Sequence, residues 1–116
     1  MPQITIDYSD ALGGAFDRRG YAAALHPVVA ETVSARLAAC TTRTRATGDT
    51  TVGDGTGRDA AVHVEIALLP GRAPEAKARL SEAAVGLVRD FLTPVDGVTV
   101  HVSAEVRDLD VSYRAG

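Results

Sequence analysis

Two stretches of this chain, Ile4-Thr5-Ile6-Asp7-Tyr8 and Val62-His63-Val64-Glu65-Ile66, alternate apolar and polar residues in the same way. Alternation at period two marks a strand with one face buried. Each stretch leads through a loop into one helical pattern and one further strand. A right-handed crossover makes each such β-α-β unit a parallel pair of strands. The expected fold is therefore α/β in the two-layer α+β sense: a four-stranded mixed sheet with both helices on one face. One domain over 1–116 is predicted, in two halves of about 1–57 and 58–116.

Local signals place the remaining elements. Tyr21, Leu25, Val28, Val29, Val33, Leu37 and Cys40 recur at three- and four-residue steps, predicting a helix that ends near Ala39 or Cys40. Pro27 falls inside it and predicts a kink or a short preceding turn. Thr41 to Val52 reads as the second strand, and the glycines and aspartates between Gly48 and Gly57 as turns. Pro74-Glu75 opens a second helix that reaches about Leu92, and Thr93-Pro94 ends it. Val98, Val100, Val102, Ala104 and Val106 form the last strand, and the tail from Asp108 reads as polar and loosely held.

Composition narrows the function. A net charge of −3 gives no basic face for nucleic acid. No apolar run is long enough to span a bilayer, and the first residues lack the charged and apolar regions of a signal peptide. A cytoplasmic protein is the expectation. Cys40 is the single cysteine, the three histidines have no metal-ligand spacing, and no Gly-rich loop follows a strand in a phosphate-binding pattern. No cofactor is implied. His63 and His101 are read as structural hydrogen-bonding residues, His26 as a helix-surface residue and Cys40 as a small buried apolar group. Thr5, Asp7, His63, Glu65, His101, Ser103 and Glu105 would share the sheet face away from the helices. In so small a domain that face is a candidate for burial against other subunits.

The chemistry begins at Pro2. Methionine is usually trimmed before so small a residue, which leaves a secondary amine fixed at the head of a strand. Such an amine can act as a general base or a nucleophile. An ordinary α-amino group titrates near ~8. Burial and neighbouring positive charge both hold it neutral, so arginines should lie nearby. Arg72, two residues ahead of Pro74, is predicted to join a helix N-terminus in an anion site. Arg43 and Arg45 emerge on one strand face and could form a second anion-binding group.

Together these residues resemble the 5-carboxymethyl-2-hydroxymuconate Δ-isomerase branch of the tautomerase superfamily. The opening from Met1-Pro2 through Ile4, Ile6, Asp7-Tyr8-Ser9-Asp10 resembles that branch's start. Leu25-His26, Asp54-Gly55, and Gly71-Arg72 with Glu75, Ala83-Ala84, Leu87-Val88-Arg89-Asp90 and Pro94 continue it, and Ser103, Glu105 and Leu109 extend it into the last strand. The resemblance implies a homotrimer with active sites near subunit boundaries. It implies Pro2 as general acid and base, and arginines that hold the carboxylates of a small-molecule substrate. Arg72 carries over directly. Where the branch has two arginines around one residue, this chain has Thr41-Thr42-Arg43, so Arg43 matches only the second and Arg45 is a possible substitute for the first. An enol–keto isomerase acting on a hydroxymuconate-like acid is the resulting expectation. The same groups could serve hydration, dehalogenation or decarboxylation of an unsaturated acid, or a non-catalytic trimer that binds one.

Overall fold

The structure, a computed structural model, describes residues 1–116. Its elements follow the expected order: β1 (Gln3–Ser9), α1 (Arg18–Thr32), β2 (Thr41–Thr47), β3 (Asp59–Leu68), α2 (Pro74–Val88) and β4 (Thr99–Asp108). The sheet order is β2-β1-β3-β4. β1 pairs in parallel with β2, and β3 with β4; the two central strands, β1 and β3, run antiparallel. Their register sets Ile4 opposite Ile66 and Ile6 opposite Val64.

Both helices cover one face. Ile4, Ile6, Val62, Val64, Ile66 and Leu68 meet Tyr21, Leu25 and Val29 of α1 and Leu80, Ala84 and Val88 of α2, and none is more than 1% exposed. Burying each aliphatic side chain contributes about 1.5–3 kcal/mol. The inner face of β4 is only half-buried. The Tyr21 hydroxyl donates to the Ala84 carbonyl at 2.8 Å and ties the two helices together. Burial pushes its phenol pKa well up, so it stays a neutral donor. Tyr21→Phe is expected to lower stability by about 1 kcal/mol, read as a lower urea midpoint at unchanged slope.

Three sequence expectations are corrected. First, α1 ends at Thr32, well before Ala39. Ser34 takes φ 53, and the Ala35 N–H reaches back to the Ala30 carbonyl at 3.1 Å. This is a Schellman stop with serine where glycine is usual. A short 3-10 turn, Leu37–Ala39, follows, and Leu37 is 54% exposed instead of buried. Pro27 lies inside α1, which continues through it as one element with the proline ring on the exposed side. Second, β2 stops at Thr47, where the glycine-rich turns begin. Third, the tail is attached. The Leu109 N–H donates to the Leu68 carbonyl at 2.6 Å, and Gln3 Nε2 donates to the half-buried Tyr113 hydroxyl at 3.2 Å.

The opposite sheet face is polar and organised by cross-strand pairs. Arg45 makes a forked bond to its strand neighbour Asp7, at 2.7 and 3.1 Å, and holds that carboxyl below its ordinary 3.8. Glu65 and Glu105 stand directly opposite, an unfavourable like-charge pair. Arg107 offsets it by reaching Glu65 at 3.2 Å. His63 shares a hydrogen bond with Ser103 at 2.7 Å, and His101 with Asp59 at 2.8 Å. Both histidines therefore do structural work. His26 is half-buried and does more than coat a helix: it shares a 2.7 Å bond with Thr42 and ties α1 to β2.

Candidate active site

The topology gathers the start of β1, the start of β2 and the end of β3 at one end of the sheet. Pro2 lies there and is buried. Its carbonyl accepts the Thr41 N–H at 3.2 Å, which anchors it one step ahead of the β1–β2 ladder. Because Ile4 and Ile6 face the helices, Pro2 falls on that same side of the strand. A cleft of about 310 Å³ opens beside it, lined by Met1, Pro2, the turn from Ser34 to Arg36, Ala39 and Arg72. That volume lies at the small end of ligand sites, which suits a small acid.

Arg72 enters the cleft from the loop between β3 and α2. Gly71, at φ 122, gives the loop a turn that a side chain would strain. The Arg72 Nε donates to the Val33 carbonyl and Nη1 to the Leu69 carbonyl, both at 3.1 Å. The guanidinium is thus held at the C-terminal end of α1, where a cation is favoured by the helix dipole. It is not paired with the N-terminus of α2, and no residue of that helix lines the cleft. Two of its five N–H groups are used, which leaves three for a ligand.

Pro2 and Arg72 are therefore brought together, while Arg43 and Arg45 are not. The latter two side chains lie on the outer sheet face. Arg45 is committed to Asp7, and Arg43 Nη1 makes one long 3.5 Å contact to Gln3 Oε1. In their place the cleft contains Arg36, which sequence reading passed over because the expected helix ran through it. One signal was available: a helix reaching Cys40 leaves no residues to turn back into a parallel strand at Thr41.

Pro2 is thus buried beside a cleft that Arg36 and Arg72 also line. Cys40, buried one residue before β2, donates weakly to the Arg36 and His26 carbonyls, and burial pushes its thiol pKa up. A thiol shifted this way resists forming the thiolate that nucleophilic attack needs. A larger hollow of about 420 Å³ lies at the far end of β1. Asp10, Asp49 and Asp59 line it against a single Arg58, so it repels a carboxylate that the Pro2 cleft would attract.

A family model described as 5-carboxymethyl-2-hydroxymuconate isomerase matches residues 2–115. The chain belongs to that family. It is a family of isomerases. A 5-carboxymethyl-2-hydroxymuconate isomerase from Deinococcus radiodurans R1 is similar in structure, with a TM-score of 0.81 at 19% identity over 99% of this chain and 89% of that one. A 5-carboxymethyl-2-hydroxymuconate delta-isomerase matches at 0.79 and 16% identity, over 100% of this chain and 87% of that one. A fused 4-OT wild type symmetric trimer matches at 0.67 and 23% identity, over 88% of this chain and 84% of that one. At these identities the likeness establishes the fold: two parallel strand pairs joined antiparallel, with the helices on one side. No curated protein matches the sequence significantly. No helix is long and apolar enough to cross a membrane.

Proposed function

We propose that the protein is a cofactor-free tautomerase-type isomerase that moves a proton along a small, conjugated, hydroxymuconate-like carboxylate, with Pro2 as the acid and base. One observation carries this reading: a buried proline at the head of β1 shares a small cleft with Arg72. Met1 is 42% exposed at the rim of the cleft, and its removal turns the amide at Pro2 into a secondary amine with a lone pair. That amine takes the proton of a dienol hydroxyl. The O–H bonding pair becomes the new carbonyl π bond, the double bonds shift, and a carbon further along takes the proton back from the prolinium. Base and acid are the same atom, so the cycle closes without a co-reactant. Arg72 holds a carboxylate with its free N–H groups and stabilises the negative charge that develops on the oxygen.

A homotrimer completes this reading. The strands β2 and β4 each leave an edge unpaired, and the outer sheet face carries an ordered polar network. Arg43 lies exposed on that face, open to a neighbouring copy. The unpaired thiol of Cys40 suits a cytoplasmic enzyme.

The test pairs intact mass with an ultraviolet assay of 2-hydroxymuconate ketonisation. The native protein is expected to lack one methionine and to remove the dienol absorbance faster than buffer. A protein that keeps Met1 and gives the buffer rate would instead be an acid-binding protein.

A further inference from the structure

We infer that Arg36 is the second carboxylate-holding residue of the Pro2 cleft and sets its preference for dicarboxylates over monocarboxylates. The inference rests on the reading of this cleft as the substrate site. Two arginines, from two different loops, line one cavity of about 310 Å³ that no Asp or Glu lines. Like charges gathered this way repel unless an anion lies between them. Arg72 is held by two carbonyls and fixes one end of such an anion. The Arg36 side chain makes no hydrogen bond within the chain, so all five of its N–H groups are free for the other end.

The backbone under Arg36 is fixed although the side chain is exposed. The stop at Ser34 folds the chain sharply back after α1. The Arg36 carbonyl accepts the Ala39 N–H at 3.0 Å and the Cys40 thiol at 3.6 Å. Non-glycine residues visit the left-handed region at some cost, and here that conformation delivers the Ser34–Arg36 segment to the cleft wall. Thr41 has no charge to offer, and Arg45 is occupied by Asp7. Of the arginines near the start of β2, Arg36 is the one that reaches the cleft.

The test uses trans,trans-muconate and sorbate, inert acids that share one diene skeleton and differ by a single carboxylate. Calorimetry on the native protein at low ionic strength is expected to show muconate bound about ten-fold more tightly than sorbate. The margin should shrink as salt is raised. Arg36→Gln should abolish it while leaving sorbate affinity within about two-fold and the circular dichroism unchanged, since the exposed side chain supports no contact. Arg36→Lys should restore part of it. A wild-type protein that binds both acids alike, or an Arg36→Gln variant that keeps the margin, would overturn the inference. Binding is read without turnover, so the two proposals fail separately. An inactive protein that prefers muconate loses the isomerase reading and keeps the second holder. An active one with no preference loses the holder and keeps the reaction.

Discussion

Pro2→Ala is expected to lower kcat/KM for dienol ketonisation by about 10²-fold or more while leaving the fold intact, because a positioned general base is worth about 10²–10⁴ in rate. The structural cost should be small. The bond that anchors this residue is made by its carbonyl, to the Thr41 N–H, and alanine keeps that carbonyl. Lost are the ring that fixes φ and the secondary amine whose lone pair it aims. Methionine is also trimmed before alanine, so the variant still presents an amine, but a primary one on a freer first residue. The comparison therefore isolates ring and basicity from mere chain length. A second preparation that retains Met1 completes the argument, since its amide nitrogen has no basic lone pair and the rate should fall to that of buffer. Near-wild-type rates from Pro2→Ala, with native circular dichroism, would remove Pro2 from the mechanism.

How far the sequence could be read depended on where local pattern and tertiary geometry agreed. β1 and β3 were legible because alternation and burial coincide: Ile4, Ile6, Val62, Val64 and Ile66 are all enclosed. The start of α2 was legible from Pro74, which is at its first turn. The end of α1 was not. Val33, Leu37 and Cys40 continue the helical period, and the residue that stops the helix is Ser34, where a glycine would have announced the turn. That one misread boundary hid Arg36 on an apparent helix surface. That Pro2 and Arg72 share one cleft could be anticipated because each carries unusual chemistry at a fixed place in the chain. Arg72's partners were not, since Val33 and Leu69 offer backbone carbonyls and leave no mark in composition. The attachment of Tyr113 to Gln3 was hidden for a similar reason, by a polar tail that looks like any unattached one.

Arg72→Ala is expected to raise KM for the acid by about ten-fold or more, with a smaller fall in kcat, since a forked charge-assisted bond to carboxylate is lost. A structural effect comes with it. The Val33 and Leu69 carbonyls lose a charged donor, at a cost of about 1–2 kcal/mol after allowance for their access to water. A rise in KM alone would not separate binding from a loosened loop. The pH profile does. Removing a cation beside the Pro2 amine favours its protonated form, so the acid limb of kcat/KM should move to higher pH in Arg72→Ala. Arg72→Lys keeps the charge but loses the fork, and should leave that limb near its wild-type place while KM still rises. A purely structural arginine would raise KM in both variants and move the limb in neither. That outcome would leave Arg72 as the clip on the end of α1 and pass the work of holding carboxylate to Arg36.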